Sequence, residues 1–286
     1  MNGGTFLAIL ALQICLDRHG FSSNSLDGQS GAKTAAALAA YCESKGIEPP
    51  VPGGEAQAFL RYFSGEHDLF TEETVTAADM AALVRIPEDP AGKARLPNMG
   101  YESIREMFAE RGHVTPHTLS RLNPHIDWTK VGAGDRIRIP EVTPGATGAK
   151  AARVTISLSK FTVTALDRSG KPIAVFPCSI AKDKSKRPPP GDLKIVTKIP
   201  NPNYTYTPDH VSPGKKKERH IFQPGPNNPV GVVWLGLSLP GYGIHGTPTP
   251  ERIGRAESHG CFRLANWNAE RLYELVEPGT VVSIAP

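Results

Sequence analysis

The spacing of apolar residues is helical near the start of the chain. The residues with this spacing are Phe6, Ile9, Leu10, Leu12 and Leu16. They predict a first helix that ends near Gly20, a residue suited to a left-handed helix cap. After an Asp27-Gly28 turn, a second helix rich in alanine is predicted from Lys33 to about Tyr41. Residues 1–46 are therefore predicted to form a small helical domain.

The middle of the chain combines a linker with a second small module. Residues 47–98 open with Pro and Gly, and are predicted to be a linker with one short helix, Glu55 to Phe63, and an irregular remainder. In residues 99–141, helices are predicted from Ser103 to Arg111 and from Thr115 to Leu122. A Gly-Asp turn and a strand ending at Pro140 follow. Residues 142–152 are predicted to be a flexible connector.

From residue 153 the apolar period becomes two, which indicates strands. The strands predicted there begin at Val154, Phe161, Ile173, Leu193, Val232 and Thr280. One helix, Asn268 to Val276, interrupts them. Short strands between Pro and Gly turns favour a mainly-β, sandwich-like domain over residues 153–286. The predicted fold class is thus multidomain α+β.

Composition and charge limit the classes of binding partner that the sequence predicts. The net charge is +4, but from Arg153 to the end 18 Lys and Arg face 10 Asp and Glu. This basic half suits an anionic polymer, although a solvated basic face without a partner explains the charge equally well. The chain shows no aromatic-basic platform, recognition helix or zinc-finger spacing, so nucleic acid is not a predicted partner.

The chain contains four cysteines and no Cys-x-x-Cys pair, which is typical of neither a zinc knuckle nor a redox dithiol. Cys15 and Cys42 lie in one small segment and would form either a disulfide or two buried thiols. Cys178 falls on a predicted strand and is expected in the core. The apolar run from Phe6 to Leu12 lacks a basic flank and a cleavage site, so it is predicted to be a helix of the mature domain. No transmembrane span is predicted.

The fourth cysteine, Cys261, has the setting of a nucleophile. A thiol becomes reactive as a thiolate, which a nearby imidazole promotes. Gly260 allows a sharp turn in which backbone N–H groups face a developing oxyanion. Two histidines are candidates for the base, His245 and His259. Glycines around His259 indicate a turn there, which favours His245, delivered from a neighbouring strand.

The segments Ile244-His245-Gly246-Thr247 and Ser258-His259-Gly260-Cys261-Phe262-Arg263-Leu264 resemble the catalytic signature of the L,D-transpeptidases of the YkuD type. The resemblance extends over about residues 153–286. It implies that Cys261 attacks a tetrapeptide stem of peptidoglycan, and that a thioester then passes to an acceptor amine in a 3→3 cross-link. No cofactor and no metal are implied.

The same resemblance implies roles for individual residues. His245 would act as base and then acid, oriented by a backbone carbonyl near Gly246. Arg263 would meet a carboxylate of the stem peptide, and Tyr242 would wall the cleft. The residues expected to line the oxyanion and substrate region are Tyr242, Gly246, Ser258, His259, Gly260 and Arg263.

The N-terminal segments have resemblances of their own. The Leu12-Gln13, Asp27-Gly28 and Thr34 pattern resembles a three-helix peptidoglycan-binding domain. Residues 99–141, with Leu122-Asn123-Pro124 and Gly134-Asp135, resemble a LysM module of the βααβ type. These resemblances imply binding to glycan strands, or a spacer role, in the periplasm or cell envelope. The oligomeric state is left open.

Four other functions remain as alternatives. An L,D-carboxypeptidase, or an enzyme that attaches an envelope protein, would use the same thioester with a different acceptor. A cell-wall-binding protein with an inactive catalytic domain is the third. The fourth is a zinc hydrolase with His245, His259 and Cys261 as ligands, although these residues lack a recognised helical spacing.

Overall fold

The computed structural model describes residues 3–51, 55–145, 149–208, 218–258 and 260–286. The helices in these ranges are α1 (Gly3–Arg18), α2 (Ala32–Lys45), α3 (Glu55–Tyr62), α4 (Ala77–Ala81), α5 (Pro90–Ala94), α6 (Ile104–Arg111), α7 (Pro116–Leu122) and α8 (Asn266–Leu275). The helices predicted from the apolar spacing are confirmed within a few residues. Gly20 has φ +86°, as expected for a left-handed cap.

The strands form one large sheet and three two-stranded sheets. They are β1 (Phe70–Thr74), β2 (Arg136–Pro140), β3 (Arg153–Ser157), β4 (Thr162–Leu166), β5 (Pro172–Pro177), β6 (Ile180–Ala181), β7 (Gly191–Pro200), β8 (Tyr204–Tyr206), β9 (His220–Phe222), β10 (Val233–Leu237), β11 (Gly243–His245), β12 (Ala256–Ser258), β13 (Phe262–Arg263) and β14 (Val281–Ala285). The large sheet has the order β13-β11-β10-β7-β14-β3-β4-β5.

The strands of the predicted mainly-β domain form a single mixed sheet, together with α8, and the two halves of this sheet share β7. The first part of β7, from Gly191 to Lys194, pairs with β14. Its second part, from Ile195 to Pro200, pairs with β10. Because one ten-residue strand serves both halves, the hydrogen-bonded sheet is continuous from β13 to β5. Its apolar face and α8 enclose one core, which includes Val154, Phe176 and Phe262.

The structure also differs from the predicted boundaries in residues 47–98. β1 lies within this predicted linker and pairs antiparallel with β2 along its whole length. The strand's sequence, Phe-Thr-Glu-Glu-Thr, is polar, so its apolar pattern is weak. Pairing with β2 adds cross-strand contacts: Arg136 forms an exposed ion pair with Glu72 at 2.6 Å, and the Arg138 guanidinium lies 4.3 Å from the Phe70 ring centre. Four helices, α4 to α7, lie between β1 and β2 in the described residues, so the βααβ order predicted within 99–141 is not what the structure shows.

The two N-terminal segments, predicted as separate domains, share one hydrophobic core. Phe6 and Leu10 of α1 belong to the same buried cluster as Ile104 and Phe108 of α6 and Ile137 of β2. Burying these apolar side chains together is favourable by about 1.5–3 kcal/mol for each large one. A boundary between 1–46 and 99–141 therefore does not separate two independent cores.

A buried glutamine explains why the N-terminal motif has its residues at fixed spacing. The Gln13 side chain is 1% exposed and donates to Asp27 Oδ1 and to Thr34 Oγ1, both at 3.0 Å. Its oxygen accepts from the N–H groups of Asp27 and Gly28. The turn between α1 and α2 is thereby fixed to α1 by hydrogen bonds that a buried amide requires.

Segments before residue 150 also dock on the C-terminal sheet. Phe21 forms a parallel bridge with Val175, and both lie in one buried cluster. On another side, the Met99 N–H donates to Pro224 O at 2.8 Å, and the Asn227 N–H donates back to Met99 O at 2.9 Å. The connector at 142–152 therefore joins parts that are already in contact.

Three of the four cysteines lie in the interior. Cys15 and Cys42 are free and pack in one cluster, so of the two alternatives the buried thiols are observed. Cys178 is fully buried in the main core, as predicted, and burial raises the pKa of its thiol. Within the described ranges, no helix is both long and apolar enough to cross a membrane.

Candidate active site

Two short parallel strands, β11 and β13, bring the predicted site residues together. Ile244 pairs with Phe262, and His245 pairs with Arg263. Ile244 and Phe262 are at most 1% exposed and point into the main core. Side chains alternate along a strand, so His245 and Arg263 occupy the opposite face. Cys261 directly precedes β13 and lies next to this face.

His245 is buried and held by its own chain. Its Nδ1 lies 2.7 Å from Gly246 O, a distance that fits donation from Nδ1–H to the carbonyl. This contact fixes the tautomer, so the Nε2 lone pair is the free basic position. Burial lowers the pKa of His245 to about 4; the Gly246 hydrogen bond opposes the shift and the Arg263 charge adds to it. The imidazole is therefore neutral at pH 7.

Cys261 is the partly exposed cysteine among the four. Its Sγ lies 3.6 Å from Gly241 O. Burial raises the pKa of the Cys261 thiol, while a backbone hydrogen bond from Gly243 and the Arg263 charge work in the other direction. Burial thus leaves both the Cys261 thiol and the His245 imidazole neutral at pH 7. A neutral thiol needs a general base to take its proton before or as it attacks, and a neutral imidazole is able to do so.

Tyr242 and Lys186 border the same region. The Tyr242 hydroxyl donates to Lys186 O at 3.1 Å. A Cβ placed on Gly260 would lie 3.9 Å from Tyr242 Cε1 and 3.8 Å from Lys186 O, so these two residues flank the glycine. Tyr242 is thus beside the candidate nucleophile, where the sequence predicted a wall of the cleft.

Of the predicted site residues Ser258 and His259, the structure describes only the backbone of Ser258. Ser258 ends β12, and its backbone pairs with Ala181 of β6. His259 lies outside the described residues, so the preference for His245 over His259 as the base stays a prediction.

In the described part of the chain, no cluster of three or more His, Cys, Asp or Glu side chains could hold a metal ion.

Comparison with known proteins gives independent evidence for the family to which the chain belongs. The sequence model of the L,D-transpeptidase catalytic domain (YkuD) matches residues 151–284. A Bacillus licheniformis protein described as "Putative L,D-transpeptidase YkuD" is 31% identical over 181 residues, covering 63% of this chain and 93% of that protein. The chain belongs to the L,D-transpeptidase family. The alignment with this relative is longer than the 151–284 segment, so the similarity continues outside the catalytic domain.

Other L,D-transpeptidases resemble the chain over smaller shares of their length. The "Probable L,D-transpeptidase YbiS" of Escherichia coli is 26% identical over 183 residues, or 62% of this chain and 58% of that protein. Among solved structures, an L,D-transpeptidase from Mycobacterium smegmatis aligns over 54% of this chain and 64% of its own, with 19% identity and a TM-score of 0.37. At that score the structural similarity adds nothing to the sequence matches.

One residue of this L,D-transpeptidase site, Trp234, was not predicted as a site residue. It pairs with His245 across β10 and β11, and the two rings stack at 5.6 Å between centroids with 19° between planes. The indole covers one face of the imidazole and contributes to the burial that keeps His245 neutral. In the sequence, Trp234 is one residue of a predicted strand, with no sign of its partner. Only the pairing register of β10 and β11 places it opposite His245.

Gly243 makes room for this stacking. A Cβ at Gly243 would lie 2.6 Å from Cζ2 of Trp234, closer than carbon atoms approach. We expect Gly243→Ala to displace the indole and to lower the free energy of unfolding by about 1–3 kcal/mol, which urea titration measures. Activity should fall as well, because the displaced indole no longer stacks on the His245 imidazole and no longer buries it.

The double variant Gly243→Ala/Trp234→Phe is the matched control for this prediction. A smaller ring leaves space for the added methyl group, so stability should recover in part relative to Gly243→Ala. If Gly243→Ala unfolds at the wild-type urea midpoint, the packing of Trp234 does not limit the size of the side chain at position 243.

Proposed function

We propose that this L,D-transpeptidase forms 3→3 cross-links in peptidoglycan through a thioester on Cys261. Sγ attacks the carbonyl at the L-centre of the diamino acid in a donor tetrapeptide, and His245 takes the thiol proton. His245 then gives that proton to the leaving nitrogen, so that the amide bond breaks and D-Ala departs. A side-chain amine of an acceptor stem loses a proton to His245, attacks the thioester and releases the thiol.

The observation that carries this proposal is the state of His245. Its Nδ1 is occupied by Gly246 O, the ring is neutral at pH 7, and it shares a strand face with the segment that holds Cys261. A neutral imidazole with a free Nε2 is suited to both proton transfers. Family membership supports the same chemistry.

The substrate side is proposed from the flanking residues. Arg263 supplies a fixed positive charge for a stem-peptide carboxylate. Tyr242, Gly246, Ser258, His259 and Gly260 are proposed to line the oxyanion and substrate region. The basic C-terminal half favours an anionic wall polymer, and the N-terminal segments would contact glycan strands in the periplasm or cell envelope.

The test is to incubate the protein with disaccharide-tetrapeptides and to follow the products by mass spectrometry. The proposal predicts dimers with release of D-Ala, and none with Cys261→Ala. Tripeptides without dimers would instead identify an L,D-carboxypeptidase. If neither product forms, while an added envelope protein becomes attached to the tripeptide that remains after D-Ala leaves, the acceptor is that protein. If nothing reacts, the proposed reaction is wrong.

A further inference from the structure

The carbonyl that orients His245 belongs to a peptide group that is held from its other side. Gly246 O accepts from His245 Nδ1, and the N–H of the same peptide, that of Thr247, donates to Asn266 Oδ1 at 3.0 Å. The peptide bond is planar and trans, so its C=O and N–H point in opposite directions. Fixing the N–H therefore fixes the direction of the carbonyl that meets His245.

Asn266 is itself fixed in one orientation. It is 1% exposed, and its oxygen packs against the Cα side of Gly231 and of Gly246, where a Cβ would collide with it. Its Nδ2 donates to Pro226 O at 3.1 Å and to Glu110 Oε1 at 2.9 Å. Two acceptors on the Nδ2 side leave the amide oxygen for Thr247.

Glu110 reaches this point from the N-terminal part of the chain. It lies at the end of α6 and is separated from Asn266 by 156 positions in the sequence. Tyr101 also donates a hydrogen bond to its carboxyl group. The like-charged groups that face it are Glu106 of its own helix and Glu270 of α8, and Glu270 in turn faces His113.

We infer that Glu110 is a positioning residue for the catalytic base of the proposed acyl transfer. Its carboxylate is the end of a chain of hydrogen bonds that runs through the Asn266 amide and the 246–247 peptide to His245 Nδ1. Each amide in the chain points the same way, so a negative charge at Glu110 polarises both amides and strengthens the Gly246 carbonyl as an acceptor. That carbonyl then stabilises the imidazolium formed during attack. The inference rests on the proposed role of His245.

The ionisation of Glu110 gives the arrangement a pH signature. Burial, then the nearby Glu270 and Glu106, raise the pKa of Glu110 to about 7, against the hydrogen bonds from Asn266 and Tyr101. As pH rises through about 7 the carboxyl ionises and supports His245 more strongly. Stability moves the other way: a raised pKa contributes stability at low pH, and this contribution is lost as pH rises through about 7.

The experiment compares Glu110→Gln with Glu106→Gln, a matched control. Glu106 lies one turn earlier on α6 and accepts from Asn227 Nδ2 at 2.6 Å, so it joins the same two parts of the chain without leading to His245. We expect Glu110→Gln to lower kcat at pH 8 by about threefold to tenfold, with KM unchanged and no loss of melting temperature. It should also remove the rise in rate near pH 7. Glu106→Gln should keep kcat at pH 8 and should keep the rise in rate, which moves to a lower pH because one of the charges that raise the pKa of Glu110 is gone.

A readout without substrate separates this inference from the proposed reaction. Iodoacetamide alkylation of Cys261, located by mass spectrometry and measured against pH, follows the support that His245 gives to the thiol. Glu110→Gln should slow it at pH 8 even if no cross-link ever forms. Wild-type alkylation and kcat profiles in Glu110→Gln, or equal losses in both Gln variants, would overturn the inference.

A donor–acceptor exchange tests the chain of hydrogen bonds directly. Asn266→Asp alone places a carboxylate against Glu110 and Pro226 O, so it should lose more alkylation rate than Glu110→Gln does. In Asn266→Asp/Glu110→Gln the glutamine amide donates to the new carboxylate, and the rate should recover in part. A double variant no better than Asn266→Asp would contradict contact between the two residues in the working enzyme.

Discussion

Cys261→Ala is expected to abolish acyl transfer, with a fall in kcat of at least about 10³-fold, because removal of a nucleophile leaves only the binding contributions of a site. Cys261 is the partly exposed thiol, and it precedes the strand that pairs with His245. The resemblance to L,D-transpeptidases implies a thiol that carbapenems acylate, so a carbapenem should add its mass to the wild-type protein and not to the variant, which intact-protein mass spectrometry detects. Melting temperature should change little, since the side chain is not part of the main core.

Cys42→Ala serves as the control for this prediction. Cys42 is a free thiol, fully buried in the cluster formed with α1, and burial raises its pKa. Its removal should cost stability through a small cavity but leave carbapenem acylation intact. Acylation of Cys261→Ala at the wild-type rate, or its loss in Cys42→Ala with the fold intact, would mean that Cys261 is not the nucleophile.

Local patterns predicted most helices and the main strands of the C-terminal half, although not β1, α4 or α5, and they singled out the pair of candidate catalytic residues. The alternation around Val154 and Phe161 predicted β3 and β4, and the Thr115-Pro116 cap predicted the start of α7, where Thr115 Oγ1 accepts from the Thr118 N–H. His245 and Gly246 are adjacent, so the carbonyl that holds the imidazole was within reach of the sequence resemblance. These features depend on neighbours in the chain, which a sequence displays directly.

Contacts between distant segments were not predictable in the same way. The position of Trp234 over His245 depends on strand register, and a shift of one residue would turn the indole to the other face. The Glu110–Asn266 bond joins α6 to α8 only because the N-terminal segments dock on the catalytic domain. The sequence also did not predict that Phe6 and Phe108 share a core. Each helix alone shows an apolar face that needs a partner, but not which segment covers it.

His245→Gln is expected to lower carbapenem acylation by about 10²–10⁴-fold, the usual contribution of a general base. Glutamine keeps a similar size and a polar end but cannot accept the thiol proton. The pH profile of the wild-type enzyme gives the more specific test. The base must be neutral, and burial lowers the pKa of His245 to about 4, so the acid limb should lie near pH 4 rather than near 6.5.

Between pH 8 and pH 6 the rate should therefore change only by the modest step that Glu110 is proposed to cause. Stopped-flow acylation measures this profile, and a return to pH 7 after each acid exposure separates protonation from irreversible unfolding. A fall that begins near pH 6.5, continues tenfold per pH unit below it and persists in Glu110→Gln would show a solvated, ordinary imidazole. It would then follow that the stacking of Trp234 and the burial around Gly246 do not hold in solution, because those contacts are what keep the proton off His245 until the thiol supplies it.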